Sequence, residues 1–209
     1  IAIDRDPARV DLARRVNIAD EGRRVFFKVS TAEDTRFGDE VFDAIVGNLL
    51  LAEIREPLPA LVELRRVLQP GGRIYLTQAL FGSFEEVLDM FGELEVRYGL
   101  DDMIQRKTQL VERYPTAEAL GALVRGAGFS EAQVREEEFR LPFRSAQELF
   151  TDPLITLIAM PEWRWLAGTT KRGAEHLQEV EQRLDTYFRG GPLSLTVRAG
   201  MVSATRPHA

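Results

Sequence analysis

The stretch Phe42-Asp43-Ala44-Ile45-Val46-Gly47-Asn48 is an apolar run that ends in a polar residue. A helical pattern follows at about residues 57–68, Gln69-Pro70-Gly71-Gly72 predicts a helix stop and a turn, and Arg73-Ile74-Tyr75-Leu76-Thr77 is a second apolar run. A strand, a helix and a strand at this spacing form a right-handed βαβ unit. Runs this apolar are typical of parallel strands covered on both faces. The segment therefore predicts a parallel sheet with helices on both sides.

The residues before this unit repeat the alternation. Residues 1–4 read as the end of a buried strand, and Asp6 followed by Pro7 is typical of a helix start, which predicts a helix over about residues 7–18. Residues 25–29 form a second predicted strand. Up to about residue 78 the pattern is that of a doubly wound α/β sheet.

The pattern changes after Ala79 to mostly helical material. Helices are predicted at about 84–94, 102–113, 116–126, 145–150 and 175–188, and strands at 134–141 and 193–205. Thr116 and Ser145 are the predicted N-caps of two of these helices. No internal repeat interrupts the order, so one globular domain is expected.

Composition excludes several classes of function. The chain has 209 residues, a formal net charge of −6 and no cysteine, which excludes disulfides, zinc–thiolate sites and cysteine nucleophiles; no metal site is predicted. No basic cluster is dense enough to follow a phosphate backbone, so no nucleic acid is expected as a partner. No apolar run is long enough for a membrane span, and we expect a soluble, cytoplasmic protein.

Five motifs in this order resemble landmarks of class I S-adenosylmethionine-dependent methyltransferases of the ubiquinone/biotin-pathway type. They are Asp4, Thr31-Ala32-Glu33-Asp34, the run 42–48, Val67-Leu68-Gln69-Pro70-Gly71-Gly72-Arg73 and Ala127-Gly128-Phe129. The resemblance implies a Rossmann-like, mostly parallel sheet with an antiparallel last strand and S-adenosylmethionine as cofactor. It also implies a single domain over residues 1–209, with a core of 1–78 and 116–209 and a helical cap or insertion at about 80–115.

Asp4 is the first candidate cofactor-binding residue, and we include its neighbour Arg5. An acid at the carboxyl end of the second strand of a doubly wound fold accepts hydrogen bonds from ribose hydroxyls. A carboxylate only accepts, and a cis-diol offers two donors in matching geometry. The alternative role of Asp4 is a turn cap, but Asp6 already stands where a cap is required.

The resemblance assigns two further segments to the cofactor. Thr31, Ala32 and Glu33 lie in the loop that would recognise adenine, with the Ala32 amide donating and Thr31, Glu33 or Asp34 accepting. Asn48 and Leu49 would contact the methionine half. The alternative for the loop residues is a solvated polar loop.

No catalytic residue is assigned. Related enzymes often have a histidine just beyond Asn48, where this chain has Leu51 and Ala52. His176 lies in a charged helix and is expected to be exposed. The stretch around Trp163 and Trp165 could line an acceptor pocket, but packing onto the core is favoured.

The resemblance also implies a first strand and a Gly-x-Gly-x-Gly turn ahead of Ile1. In the expected strand order that strand lies between the strands ending at Asp4 and Asn48. Leaving it out would bury unpaired backbone groups, so we expect the strand to come from residues outside 1–209. The sources considered are a longer chain, which is favoured, a neighbouring chain, or a rearranged sheet in a protein that no longer binds cofactor.

The predicted function is in-line methyl transfer to a small molecule or lipid precursor. The alternative is an inactive, methyltransferase-like binding or regulatory module, because fold does not fix function. A third interpretation is a nicotinamide-dependent oxidoreductase, which shares the acid at the strand end. It is discounted because the order of elements from Leu68 to the last strand resembles that of methyltransferases. A homodimer is left open.

Overall fold

The structure is a computed structural model that describes residues 1–16, 25–168, 171–188 and 191–208. Strands and helices alternate up to the fourth strand, and helices dominate afterwards. The elements are β1 (Ala2–Asp4), α1 (Pro7–Val16), β2 (Phe27–Val29), β3 (Phe42–Asn48), a short 3₁₀ helix (Leu51–Glu53), α2 (Pro57–Val67), β4 (Leu68–Ala79), α3 (Glu85–Tyr98), α4 (Asp101–Glu112), α5 (Ala117–Gly126), β5 (Ser130–Phe143), α6 (Ala146–Thr151), α7 (Pro153–Ile158), α8 (Met160–Ala167), α9 (Lys171–Tyr187) and β6 (Leu193–Thr205).

The strands form two hydrogen-bonded groups. β1 pairs in parallel with β2, and the other group has the order β3–β4–β6–β5, in which β3 and β4 are parallel. β6 runs antiparallel to β4, because Gly71 N–H donates to Arg206 O (2.9 Å) while Leu80 N–H donates to Arg198 O (2.7 Å). The predicted α/β class and the antiparallel last strand are confirmed.

β1 and β3 each have one strand neighbour among the described residues, and their other edges line one cavity. Val41 and Leu49 donate their N–H groups toward β4, to Val67 O and Thr77 O. Because amides alternate along a strand, those of Ala44, Val46 and Asn48 are directed to the opposite edge of β3.

On β1, Ala2 N–H donates to Phe26 O on the β2 side, so the Ile3 amide is directed to the other edge. The apolar side chain of Val46 in β3 is 78% exposed. β3 therefore combines an apolar sequence with an exposed valine and an edge that has no strand partner among the described residues.

The chain divides into two compact units. Unit 1 comprises residues 1–77, 119–134 and 202–209, and unit 2 comprises residues 78–118 and 135–201. In unit 1, Leu61, Leu64 and Val67 on one face of α2 are buried with Ile74 and Leu76 of β4. This packing fixes the two strands β3 and β4 whose carboxyl ends form part of the site.

Unit 2 has its own core, built on α3, α4 and the segment α7–α9. Phe91, Met103 and Trp163 are fully buried there, and Phe84 contacts Trp163 edge-to-face at a ring-centroid distance of 6.0 Å. The residues predicted as a helical cap, about 80–115, belong to this unit together with residues 135–201.

The largest correction concerns Gln69–Gly72, which was predicted to be a turn and lies inside β4. The pairing of β3 with β4 shifts register here: Phe42 pairs with Leu68, whereas Ala44 pairs with Arg73. The extra residues of β4 form an irregularity in the ladder, and Gly71 accommodates it with a φ of 79°. A Pro-Gly-Gly motif therefore marks a bulge here rather than a chain reversal.

Several boundaries also differ from the prediction. β2 begins at Phe27 rather than residue 25, β5 extends over Ser130–Phe143, and α9 begins at Lys171. α7 and α8 were not predicted. The predicted end of the first helix, residues 17–18, lies outside the described residues. The described part of the chain holds no helix long and apolar enough to cross a membrane.

We predict that Gly72→Ala destabilises the protein by about 1–3 kcal/mol, because a Cβ at Gly72 would lie 2.8 Å from Gln69 O and 3.1 Å from Asp43 O. Backbone atoms cannot yield as a flexible side chain can. Denaturant unfolding measures the change. Gly126→Ala is the control, because no atom lies within 4 Å of the position that a Cβ would take there and alanine favours the helix. Equal stabilities for the two variants would contradict the bulge.

Candidate functional site

A cavity of about 550 Å³ in unit 1 lies at the edges of β1 and β3. It is within the size range of small-molecule sites. All predicted cofactor residues line it: Asp4, Arg5, Thr31, Ala32, Glu33, Asn48 and Leu49. They come from the carboxyl ends of β1, β2 and β3 and from the residues that follow, which is where open α/β sheets bind ligands.

Asp4 ends β1 and keeps one carboxylate oxygen for a ligand. Its Oδ1 accepts from the Asp6 N–H at 2.8 Å, while Oδ2 lies 3.8 Å from the Arg9 guanidinium. Asp6 caps α1 through Oδ1, which accepts from the Ala8 N–H at 2.8 Å. Asp6 therefore caps the helix, as expected, while Asp4 Oδ1 caps the preceding turn, which is the alternative role considered for Asp4, and Oδ2 accepts no hydrogen bond among the described residues.

Arg5 is held by Glu53 rather than left free. Its Nη2 donates to Glu53 O at 2.8 Å and to Glu53 Oε2 at 3.1 Å, and Arg9 lies 3.4 Å from the other carboxylate oxygen. The proximity of the Glu53 carboxylate, with a smaller contribution from Asp4, raises the pKa of Arg9. The three side chains tie the end of β1 to the 3₁₀ helix after β3.

The loop after β2 contributes Ala32 to the lining of the cavity. The Ser30 hydroxyl donates to Asp34 O at 2.9 Å, and Thr31 Oγ1 accepts from the Asp34 N–H at 3.1 Å. These bonds close a compact turn around Ala32, which is buried. None of the hydrogen bonds among the described residues uses the Ala32 N–H.

The far end of this loop is anchored to α2. Thr35 donates to Glu63 Oε1 through its N–H at 3.0 Å and through its hydroxyl at 2.6 Å. Arg66 donates to both oxygens of Glu63, from Nε at 2.7 Å and from Nη2 at 2.8 Å. Hydrogen bonds from Arg66 and Thr35 lower the pKa of Glu63 to about 2.

Asn48 and Leu49 end β3 in a fixed geometry. The Thr77 hydroxyl donates to Asn48 Oδ1, and the Leu49 N–H contacts Thr77 O at 3.0 Å and Thr77 Oγ1 at 3.2 Å. The Asn48 amide donors remain for a ligand. Leu49 has a φ of 52°, a left-handed conformation that is strained for leucine.

The described residues that line the cavity include no histidine. In unit 2, the Tyr114 hydroxyl donates to Glu162, and burial raises the pKa of both groups. Trp163 is fully buried, so the favoured prediction of core packing is correct for it. His176 is half-buried and stacked on Tyr98, which corrects the expectation of exposure.

Sequence reasoning missed three residues that shape the cavity wall: Glu53, Glu63 and Thr77. None belongs to a motif of the resemblance. Each acts on a residue far away in sequence, so no local pattern marks it. Their common signal is a polar side chain next to an otherwise apolar run.

Comparisons with known proteins agree with this architecture. Residues 1–76 match the family model described as a methyltransferase domain. A ubiquinone/menaquinone biosynthesis C-methyltransferase from Zymomonas mobilis is 26% identical over 141 residues, 63% of this chain and 58% of that protein. A demethylmenaquinone methyltransferase from Clavibacter sepedonicus is 28% identical over 146 residues, 65% of this chain and 58% of that protein. The alignments thus span 58% of the length of these curated relatives.

Solved structures share the fold at lower identity. The YcgJ protein of Bacillus subtilis has a TM-score of 0.58 at 16% identity, over 99% of this chain and 82% of that one. A phosphoethanolamine N-methyltransferase of Haemonchus contortus, solved with S-adenosylhomocysteine, has a TM-score of 0.53 at 15% identity, over 99% of this chain and 43% of that one. The resemblance to class I S-adenosylmethionine-dependent methyltransferases is thus supported: residues 1–76 match a methyltransferase-domain model, and the chain shares the fold of these solved structures.

The residues present fit such a cofactor. An acceptor at Asp4, an unpaired amide donor at Ala32 and free amide donors at Asn48 border one cavity. A cis-diol needs an acceptor, a ring nitrogen needs a donor and a carboxylate needs donors. These three protein groups therefore complement a nucleoside joined to an amino acid. The family and its neighbours support S-adenosylmethionine as that molecule.

We predict that Glu63→Gln flattens the pH dependence of stability below pH 4.5. The folded-state pKa of Glu63, about 2, lies below its ordinary value of 4.5, so its stabilisation is complete above pH 4.5 and is lost as the pH falls toward 2. At neutral pH the variant should lose about 1–3 kcal/mol. Denaturant unfolding across pH measures both effects.

Glu56→Gln is the control for that series. Glu56 is exposed at the start of α2 and its side chain makes no capping hydrogen bond, so its variant should keep the wild-type pH dependence. A Glu63→Gln profile parallel to the wild-type one would disprove the role of the Thr35–Glu63–Arg66 network.

Proposed function

We propose that this chain is the greater part of an S-adenosylmethionine-dependent methyltransferase that acts on a small molecule or lipid precursor. The observation that carries the proposal is the convergence of Asp4, Ala32 and Asn48 on one cavity at the carboxyl ends of β1, β2 and β3. The match of residues 1–76 to a methyltransferase domain supports it. Two relatives named for quinone biosynthesis support a small-molecule acceptor.

In this proposal each segment of the cavity has one role. Asp4 Oδ2 accepts from the ribose hydroxyls, and the Ala32 N–H donates to the adenine ring. Thr31 and Glu33 flank that amide and supply the acceptor for the exocyclic amine. Arg5 acts indirectly, because its guanidinium is engaged by Glu53 and holds the end of β1 in position.

Asn48 and Leu49 position the methionine half. Thr77 fixes the Asn48 side chain through Oδ1, which leaves its two amide donors for a carboxylate. When bound, S-adenosylmethionine supplies an activated methyl group on a sulfonium, and its transfer is an in-line displacement. The protein then contributes orientation and exclusion of water, so a cavity without a histidine is compatible with this chemistry.

The same proposal includes a strand between β1 and β3. The amides of Ile3, Ala44, Val46 and Asn48 are directed to the two edges that have no strand partner among the described residues. A parallel strand there would pair with both edges and cover Val46. We assign it to a part of the polypeptide outside residues 1–209, with the glycine-rich turn that approaches the cofactor.

An inactive methyltransferase-like module is the second candidate. Two observations favour it: the Thr31 hydroxyl already accepts from Asp34, and the Arg5 guanidinium is already paired with Glu53. Both functions use the same fold, so a measurement of cofactor binding is needed to distinguish the enzyme from the inactive module.

We predict that Asp4→Asn weakens binding of S-adenosylhomocysteine about 10- to 100-fold, because a charged acceptor for the ribose hydroxyls is replaced by a neutral amide. Isothermal titration calorimetry on the natural full-length protein measures the affinity. Asp11→Asn is the matched control: this exposed aspartate of α1 pairs with Arg14 and does not line the cavity.

Absence of binding in the folded wild-type protein would refute the methyltransferase proposal in favour of the inactive module. Equal affinities for Asp4→Asn and Asp11→Asn would refute only the ribose assignment.

We predict that, in the natural full-length protein, the amides of Ile3, Ala44, Val46 and Asn48 exchange with deuterium as slowly as those that pair with β4. A strand in the gap would protect them by hydrogen bonding. Residue-resolved exchange by NMR gives the rates, with Ile45 and Gly47 of the same strand as internal controls. Fast exchange at Ala44 and Val46 beside slow exchange at Ile45 and Gly47 would refute the inserted strand.

A further inference from the structure

An exposed apolar stripe runs along α7 and α8 in unit 2. Leu154 is 55% exposed, Leu157 is 65% exposed and Trp165 is 37% exposed, and Pro161 lies between them on the surface. The spacing of three residues from Leu154 to Leu157 places these side chains on one face of α7, and the spacing of four residues from Pro161 to Trp165 does the same on α8. We define the apolar stripe by these four residues.

The opposite face of the same segment is already in the core. Ile155, Ala159, Trp163 and Leu166 are buried. Residues 153–161 include no charged residue at all. A surface helix normally places charged and polar residues on its solvent face. Thr156 is the polar exposed residue within 153–161, and the exposed leucines beside it indicate that this face contacts a second apolar environment.

Three cations without acidic partners adjoin the stripe. Within the described part of unit 2, every Lys and Arg lies within ion-pair distance of an acid except Arg164, Lys171 and Arg172. In a chain with a net charge of −6, such a local excess of unpaired positive charge is complementary to an anionic surface.

These cations have a fixed place relative to the stripe. Arg164 precedes Trp165 on α8, and Lys171 and Arg172 begin α9, which packs against α8. The start of α9 is held close to the end of α8, since a Cβ at the buried Gly173 would lie 1.8 Å from Gly168 O. The positive charges therefore lie at the end of the stripe that carries the tryptophan.

We infer that the apolar stripe and its three cations form a surface that docks on a bilayer containing anionic phospholipids. Leucine side chains enter the acyl region, tryptophan lies at the headgroup level, and Lys and Arg contact lipid phosphates, which is the arrangement of interfacial helices. A protein partner is the less favoured occupant, because interface cores are depleted in lysine and do not require this pairing of leucine, tryptophan and free cations. The inference does not depend on methyl transfer.

The test is binding to vesicles made of equal parts phosphatidylcholine and phosphatidylglycerol, without cofactor. Co-sedimentation measures binding, and tryptophan emission reports the environment of Trp165 over a constant signal from the buried Trp163. We expect binding and a blue shift, both reduced by added salt and both weak on phosphatidylcholine alone. Trp165→Phe should remove the shift.

Two sets of variants separate the contributions. Leu157→Glu should weaken vesicle binding at least tenfold, whereas Val96→Glu, at an 88% exposed valine of α3, should not. Replacing Arg164, Lys171 and Arg172 together with glutamine should weaken binding to the anionic vesicles by roughly a hundredfold at low salt. The control for charge is Arg140→Gln, at an exposed arginine paired with Glu138.

Equal effects of Leu157→Glu and Val96→Glu would overturn the inference, and so would the absence of binding to anionic vesicles. Self-association by light scattering that Leu157→Glu abolishes, without vesicle binding, would assign the stripe to a second copy of the chain instead. None of these outcomes bears on cofactor affinity, so failure here is distinct from failure of the proposed function.

Discussion

The pairing of β3 with β4 is the interaction on which the site depends. It fixes the carboxyl end of β3, where Thr77 holds both the Asn48 side chain and the Leu49 backbone. It also decides which amides of β3 are satisfied and which are directed to the open edge. Those amides are the reason that we propose a further strand beside β3, because such a strand would satisfy them.

The other walls of the cavity are positioned by polar contacts between distant segments. Glu63 of α2 holds Thr35 and so shapes the loop that contains Ala32. Glu53 holds Arg5 and Arg9 and so fixes the end of β1. These carboxylates do not need to contact a ligand, yet they determine where the cavity-lining groups lie. Substitution of Glu53 or Glu63 should therefore change the geometry of the cavity.

Unit 2 differs from unit 1 in the make-up of its core and of its surface. Its core is a cluster of apolar helices around Phe91 and Trp163, and its polar surface is extensively ion-paired. The segment α7–α8 departs from both features, since it presents leucine and tryptophan outward and ends at unpaired cations.

The sequence by itself determined the alternation of strands and helices, because periodicity and caps are local. The antiparallel last strand and the candidates Asp4, Ala32 and Asn48 came from the resemblance of its motifs to those of methyltransferases. The sequence also placed Trp163 in the core. The tertiary structure alone decided that Pro70-Gly71-Gly72 is a bulge inside β4, that 153–158 and 160–167 are helices with exposed leucine and tryptophan side chains, and that Glu53 and Glu63 shape the cavity. These properties depend on partners dozens of residues away, and neither the register of a strand nor the partner of a charge is encoded in neighbouring residues.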